Sequence, residues 1–286
     1  MRQAKKLFNL FTLLRPYSWI KNFFIFIPLF FAREFFVDDK LFKTILAFVI
    51  FCLAASSVYI LNDILDREQD KKHDTKKHRP LASGLVSLKS ALIMLIRLFI
   101  ADILLIHLFL PQIFWLVISY FILNVLYSVY LKHVPILDIL LISSFYFIRI
   151  MIGSVVGDVF ISNWLLICII LISLFLIVGK RLAEFGQNEK RTVLLQYSKG
   201  YLVKTLIALS VLLAVFYSLY CVLVLKSNLG IFSIILVLLG LLRYLFLVFT
   251  THKTEYPERL LITDKIIFSA SLVWIVVIYF IIYVRV

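Results

Sequence analysis

The sequence predicts an all-α polytopic membrane protein: a bundle of nine transmembrane helices with its polar chemistry gathered on one side. Two observations carry this expectation. The 286 residues are 63% hydrophobic, with a mean hydropathy of +1.04, well above the roughly 45–50% apolar content of soluble domains. The apolar residues also fall in runs of about 20, the length needed to cross a hydrocarbon core about 30 Å thick. With only 16% charged residues, intrinsic disorder is excluded as well. Cys52, Cys168 and Cys221 stand singly in apolar runs and offer neither a disulfide framework nor a metal-ligand spacing.

Taken in order, the segment Trp19–Val37 is the least regular span, because its uncharged stretch Phe23–Ala32 is short and contains Pro28, which favours a kinked or partly interfacial path. Thr44–Leu61, Pro111–Leu131, Val159–Gly179, Thr205–Leu225 and Ile266–Val284 follow without a formal charge. Ser90–Leu110 carries Arg97 and Asp102, Ile136–Val156 carries Asp138 and Arg149, and Ser227–Thr250 carries Arg243. Only the stretches 62–89 and 180–204 are long loops, so a single integral-membrane domain over 1–286 is expected. The opening Arg2, Lys5 and Lys6 lack a small-residue cleavage site, and no cleavable signal is expected.

The formal net charge of +14 resolves into topology. Of the 30 Lys and Arg, 21 lie at the N-terminus and in the loops after helices two, four, six and eight. The positive-inside rule then puts the N-terminus and these loops on the cytoplasmic side of the cell membrane. Cations placed this way imply no nucleic-acid partner.

The second helix leaves its apolar run as Asn62-Asp63-Ile64-Leu65-Asp66-Arg67-Glu68-Gln69-Asp70. In a continuous helix Asp63, Asp66 and Asp70 stand at i, i+3 and i+7, on one face, with Asn62 beside them. Like charges stacked in this way repel unless a cation sits among them. Hard oxygen ligands suit Mg²⁺, which bridges one or two carboxylates to substrate phosphates. The alternative is a solvated helix end whose acids pair with Lys71, Lys72, Lys76 and Lys77. Lys76 and Arg79, immediately downstream, suit a metal–polyphosphate substrate.

Intramembrane charges are functional hypotheses by default. Asp138 and Arg149 are eleven residues apart and share a helix face, about 16 Å apart along the axis and too far for direct pairing. Arg97 and Asp102, five residues apart, point in diverging directions. Gly153-x-x-x-Gly157 allows close helix approach, within the bundle or, alternatively, in a homo-oligomer. Lys180-Arg181-Leu182-Ala183-Glu184 ends the sixth helix, where cations are also comfortable on electrostatic grounds alone. There is no P-loop, no GxGxxG, no HExxH and no GxSxG.

The order and spacing of several short motifs resemble the UbiA superfamily of intramembrane prenyltransferases, and within it the decaprenyl-phosphate phosphoribosyltransferase branch. They are Leu14-Arg15-Pro16-x-x-Trp19-x-Lys21-Asn22, Ala55-Ser56-x-Val58-Tyr59-x-x-Asn62-Asp63 with Asp66 and Asp70, His73-x-Thr75-Lys76-x-x-Arg79-Pro80, Leu131-Lys132-His133, Ile148-Arg149-x-x-x-Gly153 and Gly179-Lys180-Arg181-x-Ala183-Glu184. The aromatic prenyltransferases of that superfamily carry a second Asp-rich loop after helix six, whereas this loop holds no Asp in Lys180–Glu184. Asp74 stands where the phosphoribosyltransferases usually have Pro, and Ile152 and Ser154 flank Gly153 where Ala and Gly are expected.

The resemblance implies a nine-helix UbiA-like bundle with a cytoplasm-facing cavity. It implies Mg²⁺-dependent transfer of 5-phosphoribose from phosphoribosyl pyrophosphate to a polyprenyl phosphate lipid. Asp63, Asp66 and Asp70 are then the metal ligands, and Lys76, Arg79, Lys180 and Arg181 the phosphate clamps. Lys21, Lys132 and Arg149 are candidates for the 5-phosphate or the lipid phosphate, Asp138 and Glu184 for the ribose hydroxyls, and Tyr59 and Asn62 for substrate contact. An aromatic prenyltransferase of quinone biosynthesis is the alternative. A transporter coupling through Asp138 and Arg149 is a third reading, one that leaves the acidic cluster unexplained.

Overall fold

Five long helices begin at a Ser or Asp whose side chain accepts a backbone N–H of the first turn: Ser87 from Ser90, Ser162 from Leu165, Ser198 from Tyr201, Ser227 from Leu229, and Asp264 from Ile266 and Ile267. Each cap satisfies a donor the helix cannot, worth about 0.5–2 kcal/mol. The computed structural model describes residues 2–73, 76–185, 192–251, 254 and 257–284, and every regular element among them is helical. Among the described residues, eight helical segments are long and apolar enough to cross a membrane: 38–65, 88–109, 111–129, 137–157, 163–184, 199–225, 228–250 and 265–284. The chain divides into two compact units, residues 1–132 with 148–159, and residues 133–147 with 160–286.

The first unit contains α1 (Arg2–Leu13), a 3₁₀ run (Pro16–Phe26), α2 (Ile27–Phe31), α3 (Asp38–Leu65), α4 (Arg67–Lys72), α5 (Leu88–Phe109), α6 (Phe114–Val129) and the C-terminal part of α7 (Leu137–Gly157). The expected first span is therefore not one long helix. Pro28 cannot donate a backbone N–H and its ring crowds the carbonyl of Phe24, so the chain passes from 3₁₀ geometry into a helix of five residues.

α3 is the central helix of this unit. Its small residues Ala54, Ala55, Ser56 and Ser57 are all buried, which lets other segments approach its backbone. Ser56 Oγ accepts from Trp19 Nε1 at 3.0 Å and donates to the Leu14 carbonyl at 3.0 Å, tying the N-terminal segment to α3. On the other flank, α7 presents Gly153 to the 3₁₀ run. A Cβ there would lie 1.9 Å from the Ile25 carbonyl oxygen, so the pattern Gly153-x-x-x-Gly157 serves packing inside this unit. Leu13, Ile60, Leu81, Val86 and Ala91 form a wholly apolar cluster that fixes the turn after Arg79.

Arg97 and Asp102 do diverge: Arg97 is exposed, whereas Asp102 is fully buried. Neither carboxylate oxygen of Asp102 has a hydrogen-bond partner among the described residues.

The second unit contains the N-terminal part of α7, α8 (Asn163–Glu184), a 3₁₀ turn (Thr192–Gln196), α9 (Lys199–Tyr220), α10 (Asn228–Thr250), α11 (Pro257–Thr263) and α12 (Lys265–Tyr279). α9 and α12 each run on into a π-helical turn, 221–225 and 280–284. Its core includes Phe175, Val178, Leu202, Leu206, Leu241 and Leu247. Gly179 lets α8 meet the Tyr244 ring of α10, whose hydroxyl donates to the Leu176 carbonyl at 3.1 Å. Trp274 Nε1 donates to Tyr217 Oη at 2.7 Å, and Tyr217 in turn bonds Ser233 at 2.9 Å, linking α12, α9 and α10. Arg243 finds Asp264 at 2.8 Å, so this charge of the eighth expected span is neutralised.

Candidate active site

The carboxylate segment does not continue as one helix. α3 ends at Leu65, Asp66 takes φ −90° and ψ 2°, and α4 starts at Arg67. This bridge geometry is sparsely populated and recurs at active sites. Asp66 donates its N–H to the Asn62 carbonyl at 2.9 Å, and its own carbonyl accepts the Asp70 N–H at 2.8 Å. Across this joint Asp63 and Asp70 still converge on one cation, while Asp66 meets another. Stacked carboxylates repel, and the break lets each one meet a cation.

Arg79 Nη1 donates to Asp70 at 2.6 Å and to Asp63 at 3.2 Å, joining the two through one guanidinium. Arg15 also pairs with Asp63, and its guanidinium lies 5.2 Å from the centre of the Tyr59 ring. Lys132 Nζ donates to Asp66 at 2.6 Å. Asn62 accepts the hydroxyl of Ser128 on α6. Asp63 and Asp70 are only 2% and 4% exposed, so these pairs sit largely out of solvent. Burial works to lower the Arg15 pKa, but Asp63 foremost, with Tyr17, Tyr59 and Asp70, outweighs it and the net direction is upward.

Arg15 is the residue sequence reasoning missed as a site member. It adopts the left-handed conformation, φ 52° and ψ 57°, just before Pro16, an uncommon state for a side-chain-bearing residue that concentrates at functional positions. Only the motif Leu14-Arg15-Pro16 marks it in the sequence.

The remaining candidates lie as follows. Lys76 opens the 3₁₀ turn before Arg79, and its carbonyl accepts the Arg79 N–H at 2.9 Å. Lys21 is half-buried in the 3₁₀ run beside the fully buried Asn22. Arg149 donates through Nε to Asn22 at 2.8 Å and lies over the rings of Phe51 and Tyr120, 5.0 and 5.5 Å from their centres. Asp74 falls outside the described residues.

In the second unit, Arg181 is fully buried and donates to Asp138 at 2.7 Å and to Glu184 at 2.7 Å. Tyr197 donates its hydroxyl to Asp138 at 2.7 Å and accepts the Ile136 N–H at 2.5 Å. It thereby holds Ile136, a β-branched residue at φ 69°. Burial foremost, and Asp138 with it, drives the Tyr197 phenol pKa upward, so it stays a donor. Lys180 is half-buried in the same helical turn as Arg181.

Among the described residues, no three His, Cys, Asp or Glu side chains close around one point as a ready-made metal cage. The donor set nevertheless fits Mg²⁺. Asp63 and Asp70 offer only oxygen and already share one cation, and Mg²⁺ is commonly held by one or two carboxylates completed by substrate phosphates.

A bundle of long apolar helices with an Asp-rich helix end defines a class of intramembrane transferases. The sequence model of the UbiA prenyltransferase family matches residues 22–272, and the chain belongs to that family. The decaprenyl-phosphate phosphoribosyltransferase of Mycolicibacterium smegmatis is 34% identical over 203 residues, 68% of this chain and 64% of that protein. That of Mycobacterium tuberculosis is 33% identical over 211 residues, 70% of each chain. The solved structure of a UbiA homolog from Archaeoglobus fulgidus bound to DMAPP and Mg²⁺ superposes with a TM-score of 0.72 at 16% identity, covering 95% of this chain and 98% of that one. It establishes a UbiA-like fold, and the protein is a multi-pass membrane protein.

Proposed function

We propose that this protein transfers 5-phosphoribose from phosphoribosyl pyrophosphate to a polyprenyl phosphate, with release of pyrophosphate and Mg²⁺ as cofactor. The observation that carries the reading is the set of three aspartates, each in contact with a cation from elsewhere in the first unit. Such a site has both the carboxylates a metal needs and the guanidinium groups a diphosphate needs. The names of the curated relatives, decaprenyl-phosphate phosphoribosyltransferases, support a phosphoribosyl group passed to a polyprenyl phosphate acceptor. The N-terminus and the cation-rich loops, in this reading, face the cytoplasm, where the soluble donor would be met.

Asp63 and Asp70, with Asp66 beside them, would hold the Mg²⁺, which when bound supplies positive charge to the departing pyrophosphate. Arg79 and Arg15, with Lys76, would take the phosphate oxygens, for which a guanidinium is a bidentate match. An oxygen of the lipid phosphate forms the new bond to ribose C1 as the bond from C1 to pyrophosphate breaks, the electron pair leaving with pyrophosphate. The nucleophile is already anionic, so the chain need supply no strong base; orientation and charge neutralisation do the work. Lys21, Lys132 and Arg149 are assigned to the 5-phosphate or the lipid phosphate, and Tyr59 and Asn62 to shaping the diphosphate end.

Arg181 is assigned differently from the clamp expected of it. Its guanidinium is buried and shared by two carboxylates, which suits a positioning residue for Asp138 and Glu184. Lys180 is the phosphate candidate of that turn.

The test is direct. The purified protein in proteoliposomes is given Mg²⁺, labelled phosphoribosyl pyrophosphate and polyprenyl phosphate, and the lipid is extracted. Label in the lipid phase supports the reading. Label that stays aqueous, while prenyl diphosphate and hydroxybenzoate yield product, would replace it with an aromatic prenyltransferase.

A further inference from the structure

All three carboxylates of the site are matched by cations of the chain itself. Arg79 Nη1 lies 2.6 Å from Asp70 and 3.2 Å from Asp63, Arg15 pairs with Asp63, and Lys132 Nζ lies 2.6 Å from Asp66. The cations come from three separate places: the turn before Pro16, the turn after Lys76–His78, and the segment after α6. None is the i+3 or i+4 helical neighbour of the acid it meets, so ordinary surface pairing along a helix does not account for the arrangement. The formal charges of the six groups cancel.

This balance has a chemical consequence. A divalent ion arriving alone meets no net negative charge, and it must strip guanidinium groups from carboxylates that are almost wholly buried. A diphosphate arriving alone finds its guanidinium donors occupied and would leave the carboxylates bare. When both arrive, the exchange is complete: the metal goes to the carboxylates and the guanidinium groups go to phosphate oxygens, which they fit as well as carboxylates.

We propose that Arg15, Arg79 and Lys132 are resident counter-ions of Asp63, Asp66 and Asp70, so that metal and diphosphate each bind more tightly in the presence of the other, by exchange of partners. This rests on the reading that the site takes a metal–diphosphate pair, and it adds the order and coupling of their binding. Arg79 is the pivotal member because it bridges two of the acids. The Lys132–Asp66 pair, with the more exposed carboxylate, is the one that opens most readily.

Equilibrium dialysis of the full chain in detergent micelles tests this, with Mn²⁺ as the metal probe and inorganic pyrophosphate as the anion probe. Saturating pyrophosphate should tighten Mn²⁺ binding by about tenfold or more, and Mn²⁺ should tighten pyrophosphate binding by the same factor, since coupling is reciprocal. Arg79→Gln should bind Mn²⁺ alone more tightly than the unaltered chain and show a smaller coupling factor. Arg79→Lys, which keeps the charge, should bind Mn²⁺ alone as weakly as the unaltered chain. The size of the coupling factor in the unaltered protein carries the test even where a variant does not fold. If Mn²⁺ binds equally well with and without pyrophosphate and Asp63→Asn abolishes that binding, partner exchange is wrong and the metal site stands. If Mn²⁺ and pyrophosphate together do not bind, the metal–diphosphate reading falls and the exchange falls with it.

Discussion

Arg181 and Asp138 form an ion pair of 2.7 Å in which both side chains are wholly buried. Removing one partner of such a pair strands the other as an uncompensated buried charge, a loss of about 3–5 kcal/mol. Arg181→Ala should therefore lower the melting temperature of the detergent-solubilised protein steeply. Arg181→Lys should recover only part of it, because an ammonium cannot reproduce the planar fork that serves Asp138 and Glu184 together. A melting curve for Arg181→Ala unchanged from the parent would refute the structural weight given to this pair.

The carboxylates of the first unit make a different prediction. If the proposed reaction is the right one, Asp63→Asn and Asp70→Asn should each remove transfer from phosphoribosyl pyrophosphate to lipid while the helical circular dichroism is retained. Chelation by EDTA should do the same to the parent, and added Mg²⁺ should restore it. Full turnover in either variant would remove that carboxylate from the reaction.

Gly153 packs without a side chain against the Ile25 carbonyl, and an added Cβ would stand 1.9 Å from that oxygen. Both groups belong to backbone, so neither can rotate away. Gly153→Ala should destabilise the protein by about 1–3 kcal/mol, the range for overpacking a tight interior. Gly240→Ala, at a site where nothing lies within 4 Å of the new Cβ, should leave the melting temperature nearly unchanged and serves as the control.

Asp264 gives the pH dependence. The Arg243 guanidinium, with the Ile266 and Ile267 N–H groups, holds its carboxyl below the usual carboxylate range. A group whose folded pKa is depressed stabilises above its unfolded pKa, near 4. That stabilisation is lost as pH falls through the folded value. Melting temperature should therefore drop on acidification below about pH 4, and Asp264→Ala should lower it at neutral pH and flatten that drop. Equal slopes for parent and variant would contradict the assignment.

Asp102 is a buried carboxyl without a partner among the described residues. An unsatisfied buried polar group destabilises by about 1–3 kcal/mol. Asp102→Leu should raise the melting temperature with transfer retained. Loss of transfer in a stably folded Asp102→Leu protein would instead mark the carboxyl as part of the reaction.

Most of the spans were legible because apolar length is a direct reading of the bilayer. The interruptions were not. Pro28 marks the irregular first segment in the sequence, but nothing comparable marks the end of α3 at Asp66, where no Gly or Pro stands and the helical spacing of the acids continues unbroken. The joint coincides with a tertiary pair, since Lys132, which meets Asp66, lies 66 positions beyond it. For the same reason Arg15, Ser128 and Tyr197 escaped notice. Each meets its partner 48, 66 or 59 positions away, and apart from the motif around Arg15 its own neighbours in the chain carry no sign of the contact. The aspartates, Asn62, Arg79 and Lys132 stood out as candidates because they cluster in short polar runs that interrupt apolar sequence, whereas Tyr59, inside an apolar run, was named through the family resemblance alone.

Asp66 also divides the site mechanically. Asp63 belongs to a helix of 28 residues, most of it embedded in its unit, whereas Asp70 rides on a helix of only six residues that begins at a single joint. A small turn about the Asp66 backbone would swing Asp70 and leave Asp63 where it is. In such a turn Asp63 would be the anvil and Asp70 the jaw, with Lys132, gripping Asp66, at the pivot.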